Sequence, residues 1–260
     1  MAMKKRSLVA AVLTVLAVYP AAAQNVVPVH VLASNGVKAV IEDLQKQAEQ
    51  AIKRPLMIEY DTSSVVKKRI EDGAAFDVAI LTSDVIDDLA KAAKIDPGTR
   101  MEIARCGIGV GVRAGAAKPD IKTSDTLKKT LLASKSVTFA ENGASRKYIL
   151  QMFDKFGIAD AMKAKTILEQ GSERSNARVA DGSAEMILTL VSEILPAPGV
   201  QLVGPLPNNV QHYVSFAVGT SKSSKNTDAD KALTKFLSSP AVEGTLKAKG
   251  MQPAPARVSR

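Results

Sequence analysis

Val27-Pro-Val-His-Val-Leu-Ala-Ser-Asn-Gly-Val-Lys-Ala-Val-Ile41 carries two hydrophobic patterns joined by a short polar junction. Val27–Ala33 is rich in β-branched residues and reads as a strand. Val37, Val40, Ile41, Leu44 and Ala48 then recur at the spacing of one helix face. Ser34, Asn35 and Gly36 lie between the two. The pattern repeats twice downstream. Leu56–Tyr60 is a second strand, followed by Asp61-Thr-Ser-Ser64 and a helix over Val65–Asp72 that Gly73 stops. Asp77–Leu81 is a third strand, followed by a helix around Val85–Ala93. Strand and helix in alternation predict a parallel sheet covered on both faces.

Beyond Pro97-Gly98 the texture changes. Ile103–Val112 reads as one long strand, and a helix follows near Thr126–Leu132. A second strand–helix series begins at Val137–Ala140, with a helix from about Ser145 to Phe156 closed by Gly157. Thr166–Leu168, Glu185–Leu190 and Val200–Val203 read as further elements, with a helix near Ser175–Ala180. His212–Gly219 returns as a strand, and helices over Asp228–Leu237 and Ala241–Lys249 end the chain. The long strands near 103–112 and 212–219 are expected to cross between two α/β lobes. That arrangement leaves a cleft, where open α/β sheets bind ligands.

The first 23 residues read as a signal for export. Lys4, Lys5 and Arg6 precede an apolar run from Leu8 to Val18, too short for the roughly 20 helical residues that span a bilayer. Pro20 and Ala21-Ala-Ala23 then supply a break and a small-residue cleavage site. The mature chain is expected to begin near Gln24, to be soluble in the periplasm, and to have no membrane insertion after processing. Its formal charge falls from +9 to +6 with the loss of those three cations. The basic residues are dispersed and tryptophan is absent, so no nucleic-acid partner is expected. One cysteine, Cys106, excludes a disulfide framework and multi-cysteine metal sites. It sits in the apolar run Arg105–Val112 and reads as a buried small hydrophobe. His30 and His212 are too far apart for any HExxH-like spacing. No metal and no cofactor is expected.

Polar residues gather at three strand-to-helix junctions: Ser34-Asn35-Gly36, Asp61-Thr-Ser63-Ser64, and Glu141-Asn-Gly-Ala-Ser145-Arg146. A helix N-terminus presents unpaired N–H groups and the positive end of its dipole, so it accepts anions. Ser, Thr and Asn are also ordinary caps, and recurrence in both presumed lobes is what favours a ligand. Enzyme patterns are weaker. Ser64-Val-Val-Lys67 matches S-x-x-K of penicillin-recognising acyl enzymes, but S-D-N and K-T-G are missing. Gly107, Gly109 and Gly111 lack phosphate-loop spacing and predict strand packing. Asp87-Asp88 reads as a solvated face. No catalytic set is assigned; a secreted serine acyl-transferring enzyme using Ser64 and Lys67 is the alternative.

Val31–Val40, Tyr60–Ser64 and Arg69–Leu81 together resemble the molybdate-binding periplasmic protein family. The resemblance runs from about Val26 to Gln252. It implies a two-lobed, type 2 periplasmic binding fold with a ligand cleft between lobes. The expected division is 1–23 signal peptide, 24–105 plus 214–260 as lobe I, and 106–213 as lobe II. It implies a monomeric solute receptor, not an enzyme, which hands a small anion to an ABC transporter permease. Serine hydroxyls and backbone amides hold the anion in that family. Carried over, Ser34 or Gly36, with Asn35, serve the first junction, Ser63 or Ser64 the second and Ser145 the third. Ser172 falls near a fourth donor position. Two departures stand out. The first-junction serine of the family aligns with Gly36, and its site-closing tyrosine with Leu190. Arg146 adds a full charge where oxyanion sites rely on neutral donors, so an organic carboxylate fits as readily as molybdate or tungstate.

Overall fold

A computed structural model describes residues 27–255. The expected signal peptide lies outside these residues. The opening stretch forms strand β1 (Val29–Ser34), a 3-10 turn (Asn35–Val37) and helix α1 (Lys38–Ile52). Val40, Ile41, Leu44, Ala48 and Ile52 line the buried face of α1, as their spacing requires. Then come β2 (Leu56–Asp61), α2 (Ser63–Glu71), β3 (Val78–Thr82) and α3 (Ser83–Lys91). β2, β1 and β3 lie side by side and parallel, with Val31 opposite Ile58 on one side and Val78 on the other. Successive residues of β1 serve different cores. Val31 and Ala33 pack towards α1, whereas Leu32 joins Val66, Ile70, Ile86 and Leu89 of α2 and α3.

Strand β4 (Met101–Arg113) is the spine of the molecule. Its first half pairs antiparallel with β9 (Tyr213–Thr220), which itself runs antiparallel to β3. Its second half pairs with β7 (Met186–Leu190) and β8 (Val200–Pro205). β5 (Val137–Ala140) lies parallel to β7 and to β6 (Thr166–Glu169). The strand order is β2-β1-β3-β9-β4-β7-β5-β6. This is the two-lobed α/β binding-protein fold. The expected parallel sheet holds for β2-β1-β3 and β7-β5-β6, but β4 and β9 make the whole mixed. Their antiparallel partners β3, β7 and each other are distant in the chain, so no local hairpin signals the direction of the pairing. Gly109 and Gly111 of β4 are packing glycines as read. A Cβ on Gly109 would stand 2.9 Å from Val191 Cγ2, and one on Gly111 2.8 Å from Ile187 Cγ2.

The second half adds α4 (Ser124–Ala133), α5 (Arg146–Lys155), α6 (Ala159–Lys163), α7 (Ser172–Asp181) and α8 (Val191–Ile194). The chain then returns through β9 to α9 (Thr227–Leu237), α10 (Glu243–Ala248) and β10 (Met251–Pro253). β10 lies against Ala104–Cys106 of β4, and α9 covers α1. Cys106 is fully buried, and burial pushes its thiol up to about 11, so it is not an available nucleophile.

Candidate functional site

The junctions face each other because every helix that follows a parallel strand starts at the same edge of its sheet. α2 begins at Ser63 after β2, α5 at Arg146 after β5, and α7 at Ser172 after β6. Polar side-chain contacts join the two halves. Ser64 Oγ donates to Asn142 O at 3.0 Å, and Ser192 Oγ donates to Gly36 O at 2.7 Å. Lys38 Nζ reaches Glu173 Oε1 at 2.8 Å, and Lys147 Nζ reaches Asp84 Oδ2 at 3.4 Å.

Between α2, α3, α5 and the start of β9 lies a cavity of about 740 Å³. Ser63, Ser64 and Arg146 line it, with Gly143, Ala144, Lys147, Tyr148 and His212. Ser63 Oγ accepts from Thr82 N at 3.1 Å, which fixes it against the start of α3. Arg146 forms no ion pair among the described residues, and its buried Nε has no hydrogen-bond partner. Glu141, the carboxylate nearest in sequence, takes a hydrogen bond from Gln170 Nε2 at 2.7 Å instead. Ser145 is buried just before α5 and makes no capping hydrogen bond. A guanidinium with an unsatisfied donor, at a helix N-terminus and beside hydroxyls, has the chemistry to receive an anion, in a cavity that Asp84, Asp87, Glu102 and Glu141 also line.

His212 stacks on Tyr148 with ring centroids 3.2 Å apart and planes 14° apart. Burial and the charge of Lys147 push the imidazole below its usual pKa, so the ring is neutral at pH 7. Burial works to raise the Asp84 carboxyl, but the Thr82 hydroxyl and Lys147 hold it below the usual range.

The other expected residues lie elsewhere. Ser34 Oγ accepts from Gly36 N at 3.3 Å, so this pair caps the 3-10 turn. Gly36 is packed under Phe216 and Leu190: a Cβ there would stand 2.5 Å from Phe216 Cζ. Asn35 and Ser172 line a separate cavity of about 800 Å³ between α1 and α7. Ser172 is buried there beside Glu193. The sequence reading had no role for Asn142, Tyr148 or His212. Asn142 stood inside a quoted junction, and it accepts from Gly171 N at 3.0 Å as well as from Ser64. Tyr148 and His212 are 64 residues apart, and only the return of β9 brings them together.

The serine-enzyme pattern dissolves in this geometry. Lys67 Nζ is bound to Asp88 Oδ2 at 2.7 Å, while Ser64 is spent on Asn142. Asp87 is likewise paired, with Arg100 Nε at 2.6 Å. Among the described residues no His, Cys, Asp and Glu cluster could hold a metal ion, and no helix is long and apolar enough to cross a membrane.

Two α/β lobes with polar helix starts turned into a shared cleft define a solute-binding protein. The chain belongs to the bacterial extracellular solute-binding protein family, whose model matches residues 29–252. The periplasmic molybdate-binding protein of Azotobacter vinelandii has the same fold, with a TM-score of 0.74, 17% identity, and coverage of 88% of this chain and 100% of that one. The sulfate-binding protein of Mycobacterium tuberculosis superposes with a TM-score of 0.70, 20% identity and 88% coverage of each chain. In sequence the chain is 27% identical over 242 residues to an aconitate isomerase from a Pseudomonas species, covering 91% of this chain and 92% of that protein.

Proposed function

We propose that this protein captures a small organic polycarboxylate between lobe I (24–105 plus 214–260) and lobe II (106–213) and presents it to an ABC transporter permease. Export to the periplasm, with cleavage near Ala23, belongs to the same reading. Arg146 carries it. An unpaired, partly buried guanidinium is a poor neighbour for empty space and a good one for a carboxylate, whose two oxygens match its planar fork. Ser63, whose hydroxyl accepts from Thr82 N and keeps its own proton, and the α5 N-terminus supply further donors to the same cavity. The isomerase relative supports the ligand class, because aconitate is a small polycarboxylate. Closure follows from the ligand bridging the lobes and binding the closed state more tightly.

Calorimetry with molybdate, sulfate and small di- and tricarboxylates tests the proposal on wild type, Arg146→Ala and Arg146→Lys. A carboxylate should bind wild type. Arg146→Ala should lose about 1.5–3 kcal/mol, the worth of charged hydrogen bonds, and Arg146→Lys should recover only part of it. Tight molybdate binding unchanged in Arg146→Ala would refute the carboxylate assignment.

His212 favours a second reading, in which the same cavity isomerises its ligand. The imidazole is neutral, lines the cavity and makes no ring-nitrogen hydrogen bond among the described residues. It could take a proton from the methylene carbon of an unsaturated tricarboxylate and return it at the far end of the allylic system. The double bond moves and no cofactor is consumed. Incubation with cis-aconitate in heavy water, followed by NMR, separates the readings. Binding without trans product or deuterium uptake leaves capture alone.

A further inference from the structure

The two cavities share no lining residue, and each is lined by an ion pair that joins the halves. Lys38 Nζ lies 2.8 Å from Glu173 Oε1 in the cavity between α1 and α7. Lys147 Nζ lies 3.4 Å from Asp84 Oδ2 in the cavity that holds Arg146.

All four residues stand in the first turn of a helix. Lys38 opens α1 and Lys147 is the second residue of α5, and neither first turn holds an acid. The positive end of a helix dipole disfavours a cation, so each lysine is badly placed within its own half. Asp84 and Glu173 are the second residues of α3 and α7, where the same dipole favours them. Each lysine thus meets, across the boundary, the charge that its own helix start lacks. Within its own half Lys38 has the Tyr60 ring at 5.8 Å and the charge of Glu42, and Lys147 has the Tyr148 ring at 4.8 Å. Glu173 is nevertheless the main cause that raises the Lys38 ammonium above its ordinary pKa, with burial opposing.

The side chains are 37% and 70% exposed in the first pair and 56% and 64% in the second, so salt reaches both. Pairs this exposed add little to the free energy of folding. An equilibrium between two positions of the halves is more finely balanced, and there each pair changes the ratio roughly two- to fivefold. We propose that Lys38–Glu173 and Lys147–Asp84 are electrostatic latches, one on each cavity, which hold the lobes closed and release them as ionic strength rises. The latches rest on the two-lobed closure read above and not on the identity of the ligand.

The test is made without ligand. Ala51 on α1 and Ala161 on α6 are exposed positions in the two halves, and cysteines there take nitroxide labels while buried Cys106 does not. Dipolar electron-spin distances between the labels report the open and closed fractions. Raising sodium chloride from about 0.05 M to about 0.5 M should increase the open-to-closed ratio roughly fourfold or more. Lys38→Met combined with Lys147→Met should start at the high-salt ratio and respond little to salt. Lys38→Glu and Glu173→Lys should each open the lobes, and the two together, which restore the pair with its charges exchanged, should close them again. A salt response undiminished in the double methionine variant, a distance that none of these changes moves, or an exchanged pair that stays open would each overturn the latches. Failure of a saturating tricarboxylate to shift the ratio would count against the capture reading alone.

Discussion

Asp230 is fully buried on α9, and its carboxyl is expected to govern the pH dependence of stability. Ser224 Oγ lies 2.6 Å from Asp230 Oδ2 and 2.9 Å from Asp77 Oδ1. One hydroxyl has one proton, so it can donate to only one of two carboxylates. Both contacts are made when Asp230 is protonated and donates to Ser224 while Ser224 donates to Asp77, and Asp230 Oδ1 stays buried without a partner, which disfavours the charged form. Burial is the main cause that pushes Asp230 up to about 6 from its ordinary 3.8, with the charge of Asp77 adding to it and Ser224 opposing. The folded pKa is the raised one. The group's stabilising contribution is therefore complete below about pH 4 and is lost as pH rises through 6. At about 1.4 kcal/mol per unit, the whole effect is about 3 kcal/mol, of which about 2 kcal/mol separates pH 4.5 from pH 8. Asp230→Asn keeps a donor for Ser224 and cannot ionise. Urea unfolding of both proteins at the two pH values gives the double difference. The variant should gain on wild type by about 2 kcal/mol more at pH 8 than at pH 4.5. A difference between the two proteins that does not change with pH would refute this account of the buried carboxyl.

Gly36→Ala must force its methyl into Phe216 and Leu190, which should cost about 1–3 kcal/mol by thermal or urea unfolding. A neutral result would mean that the aromatic ring moves freely. Ser64→Ala removes the hydroxyl bond to Asn142 that holds the two halves together beside the cavity, so the affinity for the anionic ligand should fall by about 0.5–1.5 kcal/mol. Penicillin should leave Ser64 unmodified in a mass spectrum. Cys106, buried and with its thiol at about 11, should resist a thiol reagent at pH 8 until denaturant exposes it. Prompt reaction in the folded protein would show that β4 opens locally.

Periodicity made the elements visible wherever an amphipathic face was long enough. α1 shows five buried apolar positions in one stripe, and its first residue differs by one from the reading. α6, α8 and β10 escaped because five, four and three residues cannot display a period. Strand direction escaped too. The largely buried run of β9 marks a strand, but it reads the same in either direction, so the antiparallel pairing with β3 and β4 left no trace in the sequence. The junctions were legible as helix starts because caps need short polar side chains. Which of them share a cavity was not, because that depends on how the two halves meet. Asn35 and Ser172 went to one cavity, Ser63, Ser64 and Arg146 to the other.

Gly36 and Leu190 looked like lost donors in the sequence, and packing explains what they do instead. Phe216 is fully buried and its ring fills the space that a Cβ on residue 36 would need, with Leu190 Cδ1 3.0 Å from the same point. An aromatic ring and a leucine therefore form a dry floor beneath the first junction, where Ser34 turns inwards to cap Gly36 N. A ligand held by neutral donors on every side would find none on that floor. The polar demand moves to the second and third junctions, where Ser63 and Ser64 face Arg146 across one cavity. A tetrahedral oxyanion gains from donors distributed around it, whereas a carboxylate presents two oxygens in one plane and gains most from a fork on one side. The unpaired guanidinium of Arg146 therefore suits a planar carboxylate better than a tetrahedral anion.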